Sequence, residues 1–211
     1  MGVSRRSFLA AVGAAFLAAC SKGARKSSAN TSATSTVPAA PPSTTAPPSN
    51  AGGPAQVVYS GPRDRNAVAL TFHGSGDLGL TQQLLDEAAR LKVPVTIFAV
   101  GTWLKANPAM AKRILDGGHE LENHTLTHPQ LRGMGASLVE REIVGCRDVL
   151  AAETGTGGRY FRPSGMEGNY PSVVMEQAGL AGYRTVCGFD VDPSDYLDPG
   201  QLRSKPASAK Q

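Results

Sequence analysis

Little in this chain points to nucleic acid, a membrane span or a peptidase. The formal net charge is only +4, and no basic stripe with interleaved aromatics appears, which excludes nucleic acid as a partner. The Ala-rich apolar run, Ala10 to Ala19, is short of the roughly 20 residues that a bilayer-crossing helix needs. The pair His124 and His128 lacks the Glu that follows the first His in zinc-protease helices; Thr125, Leu126 and Thr127 stand between them. Tryptophan occurs once, as Trp103, at the start of an expected helix, where packing suits it better than service as a sugar platform. Of 3 cysteines, Cys146 falls on an expected helix and Cys187 on an expected strand, which favours two buried free thiols over a disulfide.

The N-terminus is more informative. Ser4-Arg5-Arg6-Ser7-Phe8-Leu9, followed by the short Ala-rich run, reads as a twin-arginine export signal. It ends in Leu17-Ala18-Ala19-Cys20-Ser21, which resembles a bacterial lipoprotein processing site. The expectation is an exported, extracytoplasmic chain, anchored to the cell membrane by lipid on Cys20. Residues 1–20 form the signal. Residues 21–55, rich in Ser, Thr, Ala and Pro and without apolar period, form a disordered tether. Losing Arg5 and Arg6 with the signal lowers the net charge from +4 to +2. No protein partner is indicated.

Residues 56–200 are one domain by size, with 201–211 a disordered tail. Strand-like runs occur at Val57–Tyr59, Ala67–Phe72, Val95–Val100, His119–Asn123, Tyr160–Pro163 and Tyr183–Val191. Helical patterns lie between them: Thr81 (as cap) to Lys92, Pro108 to Leu115, Leu138 to Glu153, and Pro171 to Ala178. Strict alternation predicts an α/β fold with a parallel sheet, as a barrel or an open doubly wound sheet. Either architecture collects chemistry at the C-terminal ends of strands. His73 and Asp77, His124 and His128, Arg162, and Asp190, Asp192 and Asp195 all fall there.

Two imidazoles four residues apart at a strand end can share a divalent metal, most readily zinc, with cobalt or nickel also suited. Gly117-Gly118-His119-Glu120-Leu121-Glu122-Asn123-His124-Thr125-Leu126-Thr127-His128-Pro129 resembles the histidine motif of NodB-type polysaccharide deacetylases. Val93 to Gly101 resembles that family's second strand, Phe161-Arg162-Pro163 its arginine motif, and Asp192-Pro193-Ser194-Asp195-Tyr196 its later acidic motif. The resemblance implies a distorted parallel (β/α) barrel, a divalent metal on His124 and His128, and hydrolysis of N-acetyl or O-acetyl groups on an acetylated polysaccharide. It also implies that Arg162 orients a catalytic carboxylate and that Asp195 supports an acid histidine.

Three departures stand out. Thr71-Phe72-His73-Gly74-Ser75-Gly76-Asp77 replaces the family's Thr-Phe-Asp-Asp-Gly-Pro, so His73 stands at the base position and Gly74 at the metal-carboxylate position. The expectation is that Asp77 folds back to replace a lost carboxylate, as metal ligand or catalytic group, with His73 as ligand or base. Glu122 stands where the family usually has Gly. No His follows His128, so the family's Leu-x-His acid motif is absent and the barrel is expected to lack its last strands. A non-catalytic, glycan-binding surface lipoprotein is the alternative reading.

Overall fold

The computed structural model describes residues 53–64, 66–165, 168–194 and 197–204. The signal, most of the tether, Cys20, Asp195 and Tyr196 lie outside the described residues. Six strands form one sheet: β1 (Gln56–Val58), β2 (Thr71–Gly74), β3 (Thr96–Ala99), β4 (Glu120–Asn123), β5 (Tyr160–Phe161) and β6 (Thr185–Cys187). Every pairing is parallel, in the order β1-β6-β5-β4-β3-β2. From β2 to β6 each strand sits beside its predecessor, so the sheet winds in one direction, as a barrel does, without the reversal of a doubly wound sheet. It is a curled half-barrel; β1 and β2 are its edges.

Helices α1 (Leu78–Leu91), α2 (Gly101–Ala106), α3 (Ala109–Asp116), α4 (Ala136–Thr154) and α5 (Ser172–Leu180) connect the strands, and α6 (Pro199–Ser204) follows β6. One face of the sheet is apolar: Ile97, Ala99, Leu121, Phe161 and Val186 are buried in the core shared with the helices. Strand alternation puts Thr71 and His73, Thr96 and Phe98, Glu120 and Glu122, and Tyr160 on the other face. Among the described residues no helix is long and apolar enough to cross a membrane.

Several boundaries differ from expectation. β2 begins at Thr71 rather than Ala67: Leu70 still accepts the Thr96 N–H at 3.0 Å through its carbonyl, but the residues before it do not join the sheet, and Val68 is 84% exposed. The strand instead runs on through His73 and Gly74, which fixes the direction of both side chains. Asp77, not Thr81, caps α1: its Oδ1 accepts the Leu80 N–H at 2.8 Å. Helix α2, which carries Trp103, lies ahead of the helix expected from Pro108; its first N–H groups are satisfied by loop carbonyls, Gly101 N–H to Thr125 O (3.0 Å) and Thr102 N–H to Leu126 O (2.8 Å). Helix α6 enters the expected tail. Asp198 Oδ1 accepts the N–H groups of Gly200 and Gln201, and the Gln201 side chain accepts the Asp198 N–H in return, a capping box with Pro199 at the first helical position. Cys146 and Cys187 are both free; Cys146 is buried and Cys187 only half-buried. Trp103 is buried, with its Nε1–H donating to the Gly76 carbonyl at 3.2 Å, so it packs.

Candidate metal centre

The parallel register places Gly74, Ala99 and Asn123 level across three strands. His73 lies one residue before that level, and His124 one after it on β4. With an even number of residues separating them in register, both point to the polar face of the sheet. His128 reaches the same place from the loop after β4, in a left-handed conformation (φ 62°). The result is a cluster in which one ligand atom from each of His73, His124 and His128 lies within 4.8 Å of the others. The His73 and His124 rings stack at 4.2 Å between centroids, and His128 meets His124 edge-on at 4.9 Å.

His124 shows the chemistry most clearly. Its Nδ1 is 2.8 Å from the carbonyl of Arg162. A carbonyl only accepts, so this contact holds the proton on Nδ1 and leaves Nε2 with a lone pair. Nε2 is buried without a hydrogen-bond partner among the described residues, the only buried side-chain nitrogen or oxygen there in that position. Such an orphan acceptor is costly unless something binds it. Burial, followed by the neighbouring His73, holds the His124 pKa well below the ordinary histidine value, so the ring is neutral, the form a metal requires. The donor set therefore fits a divalent cation held by three imidazoles.

The loop carrying His124 and His128 is pinned at Asn123, Thr125 and Thr127. Asn123, fully buried, accepts the Thr125 N–H at 2.9 Å and donates to Ile143 O (2.9 Å) and the Tyr183 hydroxyl (2.8 Å). Thr125 adopts φ 69°, unusual for a β-branched residue. Its hydroxyl donates to the His124 carbonyl at 2.5 Å and lies 3.0 Å from Ser164 Oγ. Glu142, buried on α4, accepts the Thr127 N–H and hydroxyl at 2.8 and 2.9 Å. Sequence reasoning missed Asn123, Glu142 and Ser164. Adjacency to His124 was the one signal for Asn123; Glu142 and Ser164 carried none, because their roles depend on tertiary contact.

The other expected site residues divide. Asp77 lines the cavity that holds the triad but lies outside the ligand cluster; instead of folding back as a ligand, it caps α1. Gly74 cannot accept the carboxylate that the family motif carries there. A Cβ would lie 2.9 Å from Ile97 Cγ2 and 3.1 Å from Ala99 Cα, on the apolar face. Arg162 is buried and lines the cavity, but among the described residues no carboxylate holds it. Its Nε and Nη2 donate to the carbonyls of Cys187 (3.1 Å) and Gly188 (3.2 Å), and its guanidinium lies 4.1 Å from the Phe98 ring centroid. Glu122 does not reach into the triad: Oε2 accepts the N–H groups of Arg159 and Tyr160 at 2.6 and 2.7 Å, and burial pushes its pKa up to about 7. Asp190 pairs with Arg63 at the surface, and Asp192 lines the cavity.

Residues 60–186 match the family described as polysaccharide deacetylase. The chain belongs to the polysaccharide deacetylase family. It is 34% identical over 136 residues to a chitooligosaccharide deacetylase of Sinorhizobium fredii, covering 64% of this chain and 61% of that protein. It thus spans about three-fifths of that relative's length. A CE4 family pseudoenzyme from Bacillus anthracis is similar in structure, with TM-score 0.58, 25% identity, and coverage of 64% of this chain and 47% of that one. So is a peptidoglycan N-acetylglucosamine deacetylase in complex with 4-naphthalen-1-yl-N-oxidanyl-benzamide, an aryl hydroxamic acid: TM-score 0.57, 28% identity, 62% of this chain and 60% of that one. Within this member of the family, a third histidine on β2, His73, stands where the family's first motif carries a carboxylate.

Proposed function

We propose that this chain is a metal-dependent hydrolase that removes N-acetyl or O-acetyl groups from a cell-wall or related polysaccharide. The observation that carries the proposal is the buried, partnerless Nε2 of His124 beside His73 and His128, on the fold of the deacetylase family. These three residues would hold the ion, zinc first, with cobalt or nickel compatible with the same nitrogen donors. When bound, such an ion polarises an acyl carbonyl and acidifies water.

The chain's own residues supply the rest. The Arg162 carbonyl keeps the His124 proton on Nδ1, so Nε2 stays available. Asp77 is the proton acceptor. Its Oδ1 is fixed by the Leu80 N–H, and its carboxylate lines the same cavity. The Arg162 guanidinium, anchored by two carbonyls and by Phe98, presents fixed positive charge where an acyl oxygen gains negative charge. His73 acts as ligand rather than base, since its ring stacks on His124 within ligand distance.

A second reading, a non-catalytic glycan-binding protein, is favoured by the replacement of both first-motif carboxylates by His73 and Gly74, and by similarity to a pseudoenzyme. Acetate release from N-acetylated chitooligosaccharide and from peptidoglycan separates the two, using the full chain with zinc or cobalt beside a His124→Ala/His128→Ala control. Metal-dependent release that vanishes in the control supports the hydrolase; none from folded, metal-bound protein supports the binder.

We also propose export and lipid anchoring through Cys20, supported by the twin arginines and the Leu17-Ala18-Ala19-Cys20 ending. Mass spectrometry of protein from the membrane fraction should find a lipidated N-terminal Cys20, and Cys20→Ser should release the chain from that fraction.

A further inference from the structure

His128 is held differently from the other two histidines. His124 is buried and its ring is fixed by the Arg162 carbonyl, and His73 is aimed by the direction of β2. His128 is exposed and lies on a loop, so its place rests chiefly on its backbone. That backbone is costly. It is left-handed, at φ 62°, and it precedes Pro129, where extended conformations are favoured. Such a residue persists only when its surroundings over-determine it. Upstream, Glu142 holds Thr127. Downstream, Pro129 has no N–H, so only its carbonyl can be anchored. Ser164 anchors it: Oγ donates to the Pro129 carbonyl at 2.5 Å, from a residue that is fully buried. The next residues meet as well. Gly165, at φ 64°, lies so close to Gln130 that a Cβ there would be 3.1 Å from the Gln130 Cα. The exit of β5 thus reaches both loop histidines within three residues: His124 through the Arg162 carbonyl, and His128 through the Ser164 hydroxyl.

We propose that Ser164 and Gly165 are positioning residues for His128. Ser164 holds the carbonyl of the residue after His128. The bare Cα of Gly165 lets the two loops approach closely enough for that bond to form. Neither belongs to the ligand cluster; both act through the backbone at residues 128–130. The proposal rests on the three-histidine reading above and adds the part of the fold that sets its third ligand.

The test is zinc affinity of the full chain, measured by chelator competition. Ser164→Ala should weaken it about 10- to 100-fold, as loss of a residue that orients a ligand does. A residue that acts only through His128 has nothing to act on once that ring is gone. In the His128→Ala background, Ser164→Ala should therefore cause no further loss. Gly165→Ala should weaken zinc binding as well, whereas Gly168→Ala should leave it unchanged. Gly168 is also left-handed, at φ 72°, but a Cβ there meets nothing within 4 Å, so this pair separates backbone strain from the contact with Gln130. Circular dichroism checks that each variant is folded. Parental affinity in Ser164→Ala would overturn the proposal. So would an equal loss with and without His128, which marks a general effect on the scaffold. Equal affinities of the two glycine variants would overturn it too, and that comparison decides should His128→Ala bind no zinc or Ser164→Ala fail to fold. A parent chain that binds no zinc would overturn the three-histidine reading itself, and this proposal with it.

Discussion

Replacing Asn123 with Ala tests how the histidine loop is held. The side chain is fully buried and makes three hydrogen bonds, at 2.8 to 2.9 Å, to three separate parts of the fold: the Thr125 N–H, the Ile143 carbonyl and the Tyr183 hydroxyl. Each is worth about 1 kcal/mol net. Two of the partners keep a second contact, since the Tyr183 hydroxyl still donates to Gly157 O and Ile143 is inside α4. The Thr125 N–H does not; it is left buried without an acceptor, which raises its share to about 1–2 kcal/mol. The expected loss is about 3–4 kcal/mol, a large share of the roughly 5–15 kcal/mol by which a domain is stable. Urea unfolding of the full chain measures it. With a slope near 2 kcal/mol/M, the midpoint should fall by about 1.5–2 M with the slope unchanged. Metal affinity should fall as well, because Thr125 no longer has the bond that supports its left-handed conformation. A loss below about 1 kcal/mol would refute the view that Asn123 anchors the loop.

Two further outcomes follow from the same geometry. Gly74→Asp should fail to restore a carboxylate ligand and should destabilise the protein by several kcal/mol, since its Cβ meets Ile97 and Ala99 and its charge enters the apolar face; His73→Asp should fold nearly as well as the parent, and thermal melts of the two compare them. His119 is buried with its pKa lowered by burial, its Nδ1 accepting the Val95 N–H. Above the ordinary histidine value both folded and unfolded chains leave it neutral; below that value the unfolded chain binds the extra proton, so stability falls as pH falls from about 7 to 5. His119→Asn, which keeps an acceptor, should reduce that slope in urea midpoints taken across the range.

The parallel sheet, its alternation with helices and the convergence of His73, His124, His128 and Arg162 at strand ends were legible because each rests on local pattern. Hydrophobic runs mark buried strands, and parallel topology then fixes which ends meet. The order of strands, which separates a barrel-like winding from a doubly wound sheet, was not legible from the hydrophobic pattern, because it depends on which neighbours pair; the family resemblance is what implied the barrel. The bounds of β2 were misread because the residues from Ala67 to Ala69 are as apolar as a strand but do not join the sheet. That shift matters, since it places His73 on a strand with a fixed direction and turns Gly74 away from the site. Asp77 was read as a ligand although an Asp immediately before the first turn of a helix is also a capping signal. The capping box at Asp198 was in the sequence and went unread. Arg162 looked like the partner of a carboxylate; in the fold its charge is held by backbone carbonyls and an aromatic face, an arrangement that no sequence pattern announces.

The most direct test of the central claim is zinc affinity, measured by competition with a chromogenic chelator, for the full chain and for His73→Ala, His124→Ala, His128→Ala and Asp77→Ala. The account predicts one tight site per chain. Each histidine substitution should weaken it by more than the roughly 10- to 100-fold that loss of a supporting residue costs, and Asp77→Ala should leave it unchanged. Unaltered affinity in His73→Ala, or a loss in Asp77→Ala as large as in the histidine variants, would contradict a three-histidine centre.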